Sequence, residues 1–222
     1  MFYHNTVLLV KRLIEVKRNL FLKNSVANKN PYSIFTNWYK TAAQVCNADS
    51  MYLTTVSKTC MPSCKVTTCL RFSRNGFIFL VTSSSQACMD LKDNCHAAMT
   101  FNWPRNRVVR IEGSTKLSED NEFYIPKLSY SGKILAACGK FQKSFKNRQS
   151  LLKCLNNIKD KFSQNSNIPC NISVFILKPS RIEFYQSKSE LQERVQFNKD
   201  TEVDNKFVYE AEDGWSYSIL SP

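Results

Sequence analysis

The spacing of hydrophobic positions changes along this chain, and each change marks an element. From Ser33 the apolar residues Phe35, Trp38, Tyr39, Ala42, Ala43 and Cys46 recur at helical spacing. They predict a helix with a buried aromatic face and Ser33 as its N-cap. After Asn47-Ala48-Asp49-Ser50 the pattern becomes a series of short β-rich runs at Met51–Ser57, Lys65–Phe72, Gly76–Thr82, Ala97–Trp103 and Arg107–Lys116. Pro62, Asn75-Gly76 and Pro104-Arg105-Asn106 divide them, as turn formers do. Helical character returns at Ser84–Asn94, near Lys133–Cys138 and over Arg148–Phe162, where Leu151, Leu152, Leu155, Ile158 and Phe162 form one apolar stripe expected to face the core. Strands follow at Ile172–Leu177, Arg181–Gln186, Arg194–Asn198, Lys206–Glu210 and Trp215–Leu220, with Glu190–Arg194 reading as a charged turn. Many strands with short connections point to a mainly β (α+β) domain, an antiparallel barrel with peripheral helices.

A boundary precedes that domain. Residues 1–30 mix Val7-Leu8-Leu9-Val10, Leu13, Ile14, Leu20 and Phe21 with six bases against Glu15 alone, an excess of +5. This basic amphipathic segment suits either an arm that packs on a neighbour or a targeting peptide. Pro31 and its polar surroundings end it, so residues 31–222 are taken as the folded domain. The compartment expected is cytoplasmic, or mitochondrial if the basic segment is a transit peptide.

Composition narrows the partners. Hydrophobic content of 43%, with 12% aromatic residues, is that of a globular chain. No apolar run approaches the ~18 residues of a membrane span, so a soluble protein is expected. Nine cysteines and only His4 and His96 as histidines, with no CxxC pair, argue for free thiols and against a metal site. A net charge of +13 calls for an anionic partner or a solvated basic face. Nucleic acid is the weakest of these readings, because Phe101 and Trp103 in "FNWPRNRVVR" fall where strand core is expected. Ser84-Ser85 before Gln86 can cap a helix, or that helix start can receive an anion on its open N–H groups.

Several strings resemble the pyridoxine (pyridoxamine) 5'-phosphate oxidase family. "NPYSIFTNWYKTAAQ" is similar to its opening helix, "NADSMYLTTV" to its first strand, and "GFIFLVTSSSQ" to its flavin-facing strand and turn. "FNW" with "RVVRIEG", then "RIEFYQ" and "GWSYSILSP", match its later strands, so the likeness runs from about Asn30 to Pro222. It implies a split β-barrel of the flavin mononucleotide (FMN)-binding type and a homodimer with FMN at the subunit interface. The reaction it implies is oxidation of pyridoxine or pyridoxamine 5'-phosphate to pyridoxal 5'-phosphate, a step of vitamin B6 salvage.

Carried over position by position, the resemblance implies cofactor contacts at Lys65, Val66, Thr67, Thr68, Thr82, Ser85, Gln86, Gln142, Tyr185 and Arg194. It implies a B6-vitamer phosphate site at Tyr124, Lys127 and Ser131; catalytic residues are not assigned. The chain departs from the family pattern at Leu70 (Lys in the family), Gln86-Ala87 (Arg-Lys), Val108 (Gln), Glu190 (Arg) and Gln192 (His), while Lys65 and Tyr185 replace Arg and Trp. Lysine keeps the charge but loses the bidentate fork of arginine. Losing both cations of the Ser-Arg-Lys turn, at roughly 1.5–3 kcal/mol each, weakens FMN binding by about a hundredfold to ten-thousandfold. The sequence therefore leaves an FMN-dependent oxidase with weak cofactor affinity beside a degenerate homologue that binds or regulates. Trp38 and Trp215 are expected to be packing residues, and Arg194 has Glu193 or Glu183 as alternative ion-pair partners.

Overall fold

A computed structural model describes residues 30–119, 121–124, 134, 137, 144–161, 171–188, 191–199 and 207–221. The basic segment before Asn30 and most of the helix expected near Lys133–Cys138 lie outside the described residues.

Helix α1 spans Pro31–Ala43 and starts earlier than the sequence spacing predicts. The cap is Asn30, not Ser33: its Oδ1 accepts the N–H groups of Tyr32 at 3.0 Å and Ser33 at 3.3 Å. Pro31 occupies the first helical position, where a missing N–H leaves no bond unmade. Asn30 Nδ2 in turn donates to Glu212 Oε2 at 3.0 Å, which ties this cap to the C-terminal part of the chain. The face carrying Ile34, Phe35, Trp38 and Ala42 is buried, as the pattern requires.

The strands are β1 (Ser50–Val56), β2 (Pro62–Ser73), β3 (Gly76–Thr82), β4 (His96–Trp103), β5 (Arg107–Leu117), β6 (Ile172–Lys188), β7 (Leu191–Lys199), β8 (Val208–Glu210) and β9 (Trp215–Leu220). Helix α2 covers Gln86–Asp93, α3 Asn121–Tyr124 and α4 Arg148–Lys161. The sheet order is β3-β2-β1-β4-β5-β6-β7-β9-β8, and a further β3–β6 pairing joins the first strand in that order to the sixth. Six strands thus close into an antiparallel barrel, with β7, β9 and β8 as additional strands.

Three expectations need correction. Ile172–Leu177 and Arg181–Gln186 are one strand. Pro179 lies between the residues that pair with β3 and those that pair with β7, so its missing N–H breaks neither ladder. Leu191–Arg194 are part of β7 rather than a turn; Leu191 pairs with Lys188 and Arg194 with Tyr185. Finally, the stripe on α4 is only in part core: Ile158 is buried, Leu151 and Leu152 are exposed, and Phe162 lies outside the described residues.

Two compact units divide the chain: Met1–Ala48 with Thr100–Ile111 and Ser180–Pro222, and Asp49–Met99 with Glu112–Pro179. The first has an aromatic core. Phe35 packs against Phe101 and Trp103 at ring-centroid distances of 5.1 and 5.3 Å, and Trp38 meets Phe184 edge-on at 5.4 Å. Trp103 Nε1 donates to the Ala48 carbonyl at 3.1 Å, so its polar edge is paired as well as buried. In the second unit Met51, Leu53, Phe77, Phe79, Val81 and Val174 line the interior. There Gly113 lies so close to the Lys178 carbonyl and Pro179 that a Cβ would overlap that backbone.

Candidate functional site

In the second unit, β2, the end of β3 and the start of α2 bring together most of the expected cofactor contacts. Lys65 stands opposite Leu53 on β1 and Val66 opposite Tyr52. The Lys65 ammonium is half-buried and interacts electrostatically with Cys88, in the first turn of α2. Burial pulls its pKa below the ordinary lysine value, an effect that the nearby Cys88 partly opposes. Thr67 points back into the sheet, its hydroxyl donating to the Leu80 carbonyl at 2.8 Å.

The turn from β3 into α2 is held by hydrogen bonds. Ser83 N donates to the Asn171 carbonyl at 2.9 Å, Ser85 N to the Thr82 carbonyl at 2.8 Å, and Asn171 Nδ2 to Ser84 Oγ at 3.2 Å. Ser83 and Ser173 hydroxyls meet at 2.9 Å. Ser85 is the N-cap, its Oγ accepting the Cys88 N–H at 3.3 Å. The N–H groups of Gln86 and Ala87, in the first turn, have no intrahelical acceptor.

Gln86 is exposed, but its amide is engaged. Its Nε2 donates to Asp90 Oδ1 at 2.7 Å, one turn along the same helix. Asp90 also accepts the Thr55 hydroxyl at 2.7 Å, and both residues are 1% exposed. A buried carboxylate with two donors fixes α2 against β1, and so fixes the position of the Ser85–Ala87 turn. Sequence reasoning missed Thr55, Asp90, Asn171 and Ser173; an acid inside a helix with a glutamine one turn before it was the available signal.

Within the first unit, Tyr185 and Arg194 are cross-strand partners on β6 and β7. Arg194 is already engaged: Nη2 donates to Glu183 Oε2 at 3.1 Å and Nη1 to the Ser221 carbonyl at 3.2 Å. Glu183 is only 7% exposed and lies 3.8 Å from Arg110 as well. Of the two acids considered from sequence, Glu183 is the one joined to Arg194. Trp38 and Trp215 are buried, as expected of packing residues.

Of the substrate positions, Tyr124 is buried and packs edge-on against Phe123. Lys127, Ser131 and Gln142, together with Glu190, lie outside the described residues. Among the described residues no group of His, Cys, Asp and Glu is placed to hold a metal, and no helix is long and apolar enough to cross a membrane.

No family model matches the chain. Individual proteins do. A pyridoxine/pyridoxamine 5'-phosphate oxidase of Bombyx mori is 29% identical over 93% of this chain and 85% of its own length. That of Wolbachia pipientis wMel is 31% identical, covering 76% of this chain and 81% of the relative. The chain belongs to the pyridoxine/pyridoxamine 5'-phosphate oxidase family. It is a divergent member, and a Pelagibacter ubique oxidase at 29% identity extends the match to 99% of that relative's length.

Solved structures agree on the fold. PhzG from Burkholderia lata 383, in complex with tetrahydrophenazine-1-carboxylic acid, superimposes with a TM-score of 0.73 at 19% identity, covering 91% of this chain and 98% of that one. A pyridoxamine 5'-phosphate oxidase-related, FMN-binding protein from Nostoc punctiforme PCC 73102 gives 0.63 at 14% identity, over 87% and 98%.

For a member of the oxidase family, the β2–β3–α2 region fits an anionic group in part. A half-buried ammonium and an open helix start are present. Gln86 and Ala87, which the resemblance sets at the Arg-Lys positions, supply no charge: Gln86 is held by Asp90, and Ala87 is buried.

Proposed function

We propose that the chain is a pyridoxine/pyridoxamine 5'-phosphate oxidase-like flavoprotein that holds FMN weakly and oxidises pyridoxine or pyridoxamine 5'-phosphate to pyridoxal 5'-phosphate. The observation that carries this reading is Lys65. It has no acidic partner among the described residues, is half-buried, and lies within electrostatic reach of the first turn of α2. A half-buried cation beside N–H groups with no intrahelical acceptor is suited to a phosphate. In this proposal Lys65, Ser85 and the Gln86 and Ala87 N–H groups hold the cofactor phosphate. Val66, Thr68 and Thr82 line its path, and Tyr185, Arg194 and Gln142 contact the ring system. Tyr124, Lys127 and Ser131 hold the substrate phosphate. When bound, FMN supplies the hydride acceptor and its reoxidation by oxygen. The protein orients the two rings and excludes water.

The test is titration of the purified chain with FMN, followed by quenching of flavin fluorescence, and then assay of pyridoxal 5'-phosphate formation from the two vitamers. Saturable binding in the micromolar range with turnover supports the oxidase. Binding without turnover, or no binding at millimolar FMN, rules that activity out.

A second reading, a catalytically degenerate homologue that acts as a binding or regulatory protein, draws on two internal contacts. Asp90 takes the Gln86 amide, and Glu183 takes Arg194. It predicts a cooperatively folded protein that takes up no flavin. Both readings include a homodimer, supported by an exposed apolar pair: Tyr52 and Val66 face each other across β1 and β2 and are 46% and 62% exposed. Light scattering checks it, with Val66→Lys expected to give a monomer. Residues 1–30 are proposed to form a separate arm or targeting segment of a cytoplasmic or mitochondrial protein.

A further inference from the structure

In the first unit, the sheet face on which α1 rests continues beyond the helix. Tyr209 on β8 stands opposite Tyr217 on β9, and Ile219 stands opposite Val195 on β7. Side chains two apart along a strand share a face, so Tyr209, Trp215, Tyr217 and Ile219 lie on the same side. One part of that face is closed: Tyr32, in the first turn of α1, meets Trp215 edge-on at 6.2 Å, and Trp215 and Tyr217 are each 5% exposed. The outer part is open. Tyr209 stacks on Tyr217 at 5.2 Å yet stays 46% exposed, and Ile219 is 50% exposed. These two side chains form an apolar shelf beside the last strand in the sheet order.

The rim of the shelf is acidic. Glu210, Glu212 and Asp213 are exposed and follow directly on β8, against Lys199, whose Nζ donates to the Asp213 carbonyl. The chain enters the domain at this same rim, because the side-chain amide of Asn30 is bonded to Glu212 Oε2 at 3.0 Å. Residues 1–29, which lead up to Asn30, carry six bases against Glu15, with Val7-Leu8-Leu9-Val10, Leu13, Ile14, Leu20 and Phe21 between them. A basic, apolar segment therefore ends where an acidic rim borders an apolar shelf.

We propose that this shelf is the docking surface of the chain's own N-terminal segment, with the segment's apolar residues on Tyr209 and Ile219 and its bases toward Glu210, Glu212 and Asp213. Opposite charge at the rim favours this occupant over an apolar partner without bases. Reach does not limit it. Trp215 to Ile219 is about 13 Å of strand, whereas the chain from Lys17 to Asn30 extends to about 40 Å. Tethering decides between this segment and the same segment of an unattached copy, since a short link holds its end at an effective concentration on the order of millimolar. The inference is independent of the flavin reading: none of these residues is among the proposed cofactor or substrate contacts.

The test uses the full chain. Nitrogen-14 and nitrogen-15 preparations are mixed in urea and refolded together, so that any dimer samples both labels. A carbodiimide then joins lysine amines to neighbouring carboxylates, and mass spectrometry reads the linked peptides. The expected result is links from Lys11 or Lys17 to Glu210 or Asp213 that carry a single label. Their yield should fall about fivefold in Ile219→Ser, the effect of losing roughly half an isoleucine side chain of buried area. Tyr209→Ser repeats the test from β8. Both residues are exposed, so the fold should persist, which circular dichroism verifies. Mixed labels in about half of the links would assign the shelf to a second copy and overturn docking within one chain. Absence of these links, or an unchanged yield in both variants, overturns the docking surface itself.

Discussion

Replacing Thr55 by valine removes one hydroxyl from the interior and little else, so it isolates the bond that Thr55 makes to Asp90. That bond is short, 2.7 Å, and both partners are buried. A hydrogen bond to a charged group contributes roughly 1.5–3 kcal/mol, and here water cannot replace the lost donor. Thr55→Val is therefore expected to destabilise the protein by about 2 kcal/mol, or a melting temperature lower by about 4–8 °C for a chain of this size. The assay is urea unfolding at pH 7, in which the midpoint should fall while the slope against denaturant stays the same. Because Asp90 also holds the Gln86 amide and with it the start of α2, FMN affinity should fall in the same variant. A loss below about 0.5 kcal/mol, the range of ordinary surface substitutions, would refute the argument. It would mean that Gln86 alone satisfies Asp90 and that Thr55 does not anchor the helix.

Lys65→Met should weaken FMN binding by about tenfold, the low end for a charge-assisted bond because this side chain is only half-buried. Affinity for FMN in the unsubstituted protein should fall as pH rises through the lowered pKa of Lys65, before 10.5 is reached. In that same window the unfolded chain binds the extra proton, so stability of the flavin-free protein rises with pH there, as stepwise unfolding titrations would read. Burial pushes the Cys69 thiol up from 9.0 to about 12, so iodoacetamide at pH 9 should label the exposed Cys46, Cys60, Cys64 and Cys95 but leave Cys69, as peptide mass spectrometry would read. The sign for Cys69 is opposite to that for Lys65: burial favours the neutral form of both, but the neutral thiol is the protonated one, so its contribution is lost as pH climbs from 9.0 toward about 12. Gly113→Ala should cost about 1–3 kcal/mol in the same urea assay, because the atoms it meets are backbone that cannot turn aside.

Much of the fold was legible from local pattern, and the misses have separate causes. Gly76–Thr82 and Trp215–Leu220 were read to the residue because turn formers bound them, and in the first of them burial alternates from Phe77 on. Pro179 misled, since a proline reads as a strand break although it interrupts no ladder where the pairing partner changes. The charged stretch before Arg194 misled in another way: polarity suggested a turn, yet β7 begins at Leu191 because pairing with β6 extends that far. Polar positions of the candidate site were legible; their contacts were not. Sequence shows that Gln86 and Arg194 are polar, but only geometry shows that Asp90 and Glu183 hold them.

That distinction bears on how a phosphate grip can outlast its cations. If Gln86 and Ala87 stand at the family's Arg-Lys positions, as the resemblance implies, side-chain charge is missing there while the Ser85 cap and the first-turn N–H groups are in place. Those groups depend on the backbone being held, and here the hold comes from Ser83, Asn171 and Ser173 on one side and Asp90 with Thr55 on the other. The helix dipole and its open donors contribute on the order of 0.3–1 kcal/mol toward an anion. A half-buried ammonium contributes more because it has less water to displace. Whatever affinity for FMN phosphate this chain has should therefore rest on Lys65 and on a fixed backbone. On this account Thr55→Val, which touches no ligand, and Lys65→Met, which touches no anchor, should each weaken binding, by loosening the helix start in the one and removing charge in the other.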